Sequence, residues 1–180
     1  RTIHRDAGEK DFFHFLSLLN SKDDVLDIGA NIGIMTTHLA KTVPGGIIHS
    51  FEPVPDNIKA LKRIIDHFNL VNVDLHEIAL GDEEGEIEMV MPEVDAVKKQ
   101  GLSHVVHEEI TEFNEGIKFT VPLQVLDNIA ALQNRSIQAI KIDVENFEYH
   151  VFKGAEKLIR KNKPYIYCEL WDNENRYKCF

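Results

Sequence analysis

The residues with the clearest chemical purpose lie in the run Asp27-Ile28-Gly29-Ala30-Asn31-Ile32-Gly33. An apolar approach, Val25-Leu26, leads into it, and a helix-like run from Ile34 to Leu39 leads out. A strand that turns through glycines into a helix start lets bare backbone approach a ligand, with N–H groups and a positive dipole end aimed at it. Asp27, at the strand tip, adds an acceptor for a cation. A ligand carrying both an ammonium and a carboxylate suits that pairing, which points to S-adenosylmethionine before a dinucleotide. The glycine spacing agrees. Gly29-x-x-x-Gly33 departs from the Gly-x-Gly-x-x-Gly turn, in which a pyrophosphate meets two close backbone approaches. The competing reading is a purely structural turn, with Asp27 serving as a turn residue.

Glu52 lies 19 residues after Gly33, at the end of the next apolar run. A carboxylate there can accept both hydroxyls of a ribose. An acidic residue before a proline is commonplace in loops, so the meaning comes from its pairing with the glycine turn. Together they specify a site for a nucleoside cofactor.

A third group closes the run Ile140-Lys141-Ile142-Asp143-Val144-Glu145. Asp143 and Glu145 could position an acceptor, hold a metal or act as a base. Alternatively they accept N–H bonds from the helix start that follows. Glu169, at another strand end, has the same two readings. His104, with Ser103 and His107, falls in an irregular segment expected to overhang the site. A near-neutral imidazole is a credible base for a hydroxyl acceptor, although most loop histidines are simply solvated. Trp171 and Tyr165 read as packing residues.

The elements that must position these groups follow from periodicity. Phe12, Phe15, Leu16 and Leu19 mark an amphipathic helix over 9–20. Strands are expected at 24–28 and 47–51, with a helix to about Lys41 between them. Pro55 opens a helix bearing Ile58, Leu61, Ile65 and Phe68 on one face. A third strand is expected over 71–80, then a tight polar turn, Gly81 to Gly85, into a strand at 86–91. The strand at 117–123 pairs with it as a hairpin with a long tip. A short helix at 126–132, a core strand at 137–143, one helix capped by Asn146 and ended before Pro164, and a last strand at 165–170 complete the pattern. Strands alternating with helices imply an α/β fold with a parallel sheet covered on both faces. Its ligand belongs at the carboxyl ends of the strands, where the strand order switches. The chain reads as one domain. It comprises an N-terminal helix in 1–22, a cofactor-binding half in 23–91, a variable insertion in 92–116 and a substrate-side half in 117–180.

Composition narrows the partners. Thirty acidic against twenty basic residues give a net charge of −10, which disfavours nucleic acid. Cys168 and Cys179 are too few for a disulfide scaffold and lack metal-binding spacing, so a reducing, cytoplasmic setting is the default. No apolar run approaches the roughly 18 residues that span a membrane.

With these residues in place, the chain resembles the FkbM-type methyltransferases, a family of class I S-adenosylmethionine-dependent enzymes. The matching blocks are Val25 to Gly33, Phe51-Glu52-Pro53-Val54-Pro55, Ala79 to Gly85, Val125-Leu126-Asp127, Ile140 to Glu145 and Phe152-Lys153-Gly154-Ala155, in order over about 25–170. The resemblance implies a Rossmann-like methyltransferase fold with a β-hairpin insertion, and O-methylation of a hydroxyl on a sugar or secondary metabolite. It also implies that Gly29, Ala30, Asn31 and Gly33 line the methionine part and that Asp27 anchors its ammonium. Glu52 takes the ribose, Pro53 lies beside the adenine, and Ala79 or Asp82 edges the adenine ring. Asp143, Glu145 or His104 supplies a base. Two departures stand out. The family usually has a glycine where this chain has Asn146, and Asn173 to Phe180 is too short for the two further strands with which such folds usually end, so a shortened C-terminus is expected. The rivals are a nicotinamide-dependent oxidoreductase and a non-catalytic nucleoside-binding module. No metal site is expected.

Overall fold

A computed structural model of the chain describes residues 10–94, 97–98, 103–106, 116–172 and 174–180. Its organising element is a five-stranded parallel sheet in the order β10-β9-β1-β2-β3. The strands are β1 (Asp24–Ile28), β2 (Ile48–Phe51), β3 (Val73–His76), β9 (Ile137–Ile142) and β10 (Tyr165–Cys168). The three central strands are buried along almost their whole length because both of their faces are covered, polar positions such as Asp27, His49 and Lys141 included. β3, at the edge, is only partly buried and carries a charge at Asp74.

Helix α1 (Lys10–Ser17) buries Phe12 and Phe15, and α2 (Ile34–Thr42) buries Leu39 and Ala40, in one cluster with Val25, Ile48 and Ala139. Helix α3 (Pro55–His67) begins on Pro55, whose fixed φ and missing N–H suit a first turn. Helices α4 (Glu148–Gly154) and α5 (Glu156–Asn162) pack Val151 and Leu158 against Leu26, Ile140 and Ile142 in a second cluster. The short α6 (Glu174–Lys178) follows β10. No helix among the described residues is long and apolar enough to cross a membrane.

A second sheet stands over the carboxyl edge of the first. Strands β5 (Gly85–Val94) and β8 (Gly116–Val125) form the expected antiparallel hairpin, with Met89 opposite Phe119. β4 (Ala79–Gly81) joins β8 in parallel, and the short β6 (Val97–Lys98) and β7 (His104–Val105) pair with β5. Val54, Ala79, Met89, Val105, Val121, Leu123 and Phe147 form the third apolar cluster beneath it.

Several sequence expectations are corrected. The single strand expected over 71–80 is two, β3 and β4, belonging to different sheets and separated at Glu77-Ile78. The segment at 126–132 is a pair of 3₁₀ turns, Leu126–Asn128 and Ala130–Leu132, rather than a helix. The helix expected after Asn146 breaks at Ala155 into α4 and α5. Asp127 caps the second piece from a distance, its carboxylate accepting the N–H groups of Lys157 and Leu158 at 2.9 and 2.8 Å. Asn146 is not the cap of α4. Phe147 holds that place without a side-chain capping bond, while the Glu148 carboxylate reaches back to the preceding loop and accepts the N–H groups of Val144 and Asn146, each at 3.2 Å.

Candidate active site

Strand order reverses beside β1, whose neighbours are β9 and β2, and that is where a parallel sheet opens a crevice at its carboxyl edge. The register sets the contents. Asp27 lies beside Ser50 on β2 and Lys141 on β9, and Ile28 lies beside Phe51 and Ile142. The residues that follow, Gly29, Glu52 and Asp143, therefore emerge side by side. An open cleft lies there, lined by apolar groups with a few polar ones, the ordinary make-up of small-ligand sites. Of the predicted site residues, Gly29, Asn31, Glu52, Pro53, Ala79, Asp143 and Glu145 line it. Ile78, Leu80, Met89, Val105 and Phe147 supply its apolar wall, with Ser103 and Asn57 as further polar groups.

The glycine turn is built differently from the expectation. Its N–H groups do not face a ligand. Those of Gly29 and Ala30 both donate to Phe51 O at 3.0 Å, that of Asn31 to Glu52 Oε2 at 2.7 Å, that of Ile32 to Asn31 Oδ1 at 2.8 Å and that of Gly33 to Ala30 O at 3.0 Å. A phosphate would find no unpaired donor in this turn. Gly29 is required sterically. At φ +75° a Cβ would lie 1.8 Å from Asp143 O, so the first turn and the end of β9 touch backbone to backbone. Gly33, at φ +89°, serves as the left-handed entry to α2 and packs against Leu61. Ala30 is buried behind the turn, and neither it nor Gly33 lines the cleft.

Glu52 is the hub of the cofactor side. Only 3% exposed, it accepts from Asn31 N–H through Oε2, and from Val54 N–H at 2.9 Å and Asn57 Nδ2 at 3.2 Å through Oε1. Burial raises its carboxyl above the usual carboxylate range, against the pull of these donors. Asn57 is also buried, and its Oδ1 accepts no hydrogen bond among the described residues.

Asp27 is not brought to the cleft. It is fully buried, accepts from Thr36 Oγ1 at 2.5 Å and faces Lys141 Nζ at 3.3 Å. Lys141 is the residue that sequence reasoning missed, although a lysine inside Ile140-Lys141-Ile142 was itself the signal. It is 2% exposed, donates to Gly29 O at 2.6 Å and Ile28 O at 3.3 Å, and lies 4.0 Å from Asp143 Oδ2. Burial pushes its ammonium down, but the flanking Asp27 and Asp143 more than offset this and hold it above the usual lysine range. Lys141 thus ties the strand tips of β1 and β9 together beneath the ligand space.

The substrate side turns on Glu145. Its backbone and that of Asn146 are left-handed, at φ 53° and 75°. After glycine, asparagine tolerates that region best, which accounts for Asn146 where the family usually has glycine. The Glu145 carboxylate accepts from Trp171 Nε1 at 3.1 Å, a polar task for a residue expected only to pack. Burial, then the nearby Asp143, push its carboxyl up to about 7. Asp82 does not line the cleft; its carboxylate is engaged by Lys153 Nζ and, at 2.8 Å, by His150 Nδ1. His104 is 1% exposed on β7, so its side chain belongs to the interior, whereas its neighbours Ser103 and Val105 line the cleft. His107 lies outside the described residues.

The chain is 29% identical over 162 residues to the 31-O-demethyl-FK506 methyltransferase FkbM of Streptomyces tacrolimicus, covering 77% of this chain and 61% of that protein. It is 24% identical over 146 residues to Methyltransferase 1 of Beauveria bassiana, covering 73% and 58%. The chain thus spans about three fifths of the length of these relatives. The crystal structure of Methyltransferase FkbM from Methylobacillus flagellatus KT matches the fold with a TM-score of 0.58 at 18% identity, over 84% of this chain and 34% of that one. Residues 27–177 match the methyltransferase FkbM domain, and the chain therefore belongs to the FkbM methyltransferase family.

Proposed function

We propose that the cleft binds S-adenosylmethionine and that the protein transfers its methyl group to a hydroxyl of a small molecule, a sugar or a secondary metabolite. The supporting observation is the charge of the lining. Glu52, Asp143 and Glu145 contribute three carboxylates, and no lysine, arginine or histidine is among the described lining residues. Such a site attracts a cation and repels a pyrophosphate. The paired N–H groups of the glycine turn disfavour a nicotinamide dinucleotide in the same way.

Glu52 has acceptor capacity left on Oε2 for ribose hydroxyls, held in place by Asn31, Val54 and Asn57. Ile78, Ala79, Leu80 and Val105 contribute apolar lining suited to adenine. Asp143 takes the ammonium role that Asp27, spent on Lys141 and Thr36, leaves open. When bound, the cofactor supplies an electrophilic methyl on a sulfonium, so the protein has chiefly to align donor and acceptor. Glu145, poised near neutrality by burial and by Asp143, accepts the hydroxyl proton. Trp171 fixes which way its carboxylate points.

Transfer of labelled methyl from S-adenosylmethionine to a panel of sugar and polyketide hydroxyl acceptors tests this reading. Incorporation that Glu145→Gln reduces by about two orders of magnitude or more is the expected result. Incorporation into amines or nucleic acid alone would overturn the acceptor class.

A further inference from the structure

Away from the cleft, β2 and β3 bring together two histidines and an aspartate. The parallel register sets His49 opposite Asp74 and Phe51 opposite His76. Asp74 and His76 are two apart on β3 and share a face, so all three side chains project to one side of the sheet. His49 is 1% exposed, the His76 side chain 18% and the Asp74 side chain 54%. One nitrogen of each imidazole and one carboxylate oxygen lie within 4.8 Å of one another.

These groups are poorly satisfied as a hydrogen-bonding set. Neither ring nitrogen of His49 has a hydrogen-bond partner among the described residues, nor has Nε2 of His76, and all three atoms are buried. Asp74 Oδ2 stands 3.5 Å from His49 Nδ1 and 3.6 Å from His76 Nε2, too far for a hydrogen bond. Those separations suit a different partner. Zinc–nitrogen and zinc–oxygen bonds of about 2.0–2.1 Å at tetrahedral angles put ligand atoms about 3.3 Å apart.

We propose that His49, Asp74 and His76 form a binding site for a divalent transition-metal cation, zinc above all, with the fourth position open to solvent beside the exposed Asp74. Two imidazoles and one carboxylate select zinc or its borderline neighbours over magnesium or calcium, which prefer oxygen ligands. The site is structural. Phe51, whose ring stacks on His76 at 4.5 Å between ring centres, is among the residues lining the cleft, whereas His49, Asp74 and His76 are not. Glu52 N–H donates to His76 O at 3.1 Å, so a metal here staples the edge strand to the strand that presents Glu52.

The test is titration of the chelator-treated protein with Zn²⁺ and Co²⁺, followed by calorimetry, thermal denaturation and the visible absorption of cobalt. The expected result is one saturable equivalent, a raised Tm and a tetrahedral cobalt spectrum. Asp74→Asn and His76→Gln, each confirmed folded by circular dichroism, should weaken binding about tenfold or more. Because Asp74 is largely exposed, its variant should fold even if the His76 variant does not. Absence of saturable binding, or unchanged binding in either folded variant, would overturn the proposal. The readout is independent of methyl transfer.

Discussion

At the scale of single residues, Glu52 and Glu145 divide the cleft between them. Glu52 organises the turn while keeping acceptor capacity on Oε2, so its removal loses both the proposed ribose acceptor and the anchor for Asn31 and Asn57. With about 1.5–3 kcal/mol for each hydrogen bond to a charged group, Glu52→Ala should weaken cofactor binding at least tenfold. Glu145 predicts a pH profile. With the Glu145 carboxylate as the proposed base, methyl transfer should rise as pH passes about 7, and Glu145→Gln should lose that limb. The sign for stability is opposite. A carboxyl raised from 4.5 to about 7 on folding favours the folded state below its unfolded value, and that contribution is lost as pH rises through about 7. Glu145→Gln should therefore unfold at a higher temperature than the native chain above that pH, as calorimetric scans at several pH values would show. Asn146→Gly should be nearly neutral, whereas Asn146→Val, forced to φ near 75°, should cost about 1–2 kcal/mol in denaturant unfolding.

At the scale of elements, the first turn and the end of β9 are a single mechanical unit. Gly29 touches Asp143 backbone to backbone, and Lys141 closes the gap below by bonding Gly29 O and facing Asp27. Lys141→Met leaves Asp27 buried without its cation and should cost about 3–5 kcal/mol. Loss of cooperative urea unfolding at low denaturant would report it. Much of this was legible in the sequence. Periodicity located β1, α3, β9 and the β5–β8 hairpin, because each has one strong apolar pattern and a clear turn or proline at its boundary. What periodicity could not see was pairing. Val73 to Gly81 carries no break strong enough to divide β3 from β4, since the division is made by which sheet each strand joins. Asp27 likewise read as a ligand anchor because its partner Lys141 is 114 residues away in sequence and adjacent only through the register of β1 and β9. Asn146 looked like a cap because asparagine favours that position, but the helix starts two residues later and Asn146 instead gives its N–H to Glu148.

At the scale of the whole molecule, the two sheets divide the labour of the family's chemistry. The parallel sheet fixes the strand tips that carry Gly29, Glu52 and Asp143, and the hairpin sheet lays Met89, Ser103 and Val105 over them. The family was readable because it rests on contiguous blocks. The contact between Glu145 and Trp171 was not, because they come from separate segments brought together only by the fold. The central claim is that an acidic cleft at the switch point takes a cationic nucleoside through Glu52. Its most direct test is calorimetric titration of the protein and its Glu52→Ala variant with S-adenosylmethionine, S-adenosylhomocysteine and NADH. The account predicts one equivalent of each adenosyl ligand bound by the native protein, at least tenfold weaker binding by the variant and no binding of NADH. Binding of NADH in preference, or adenosyl-ligand binding unchanged by loss of Glu52, would contradict it.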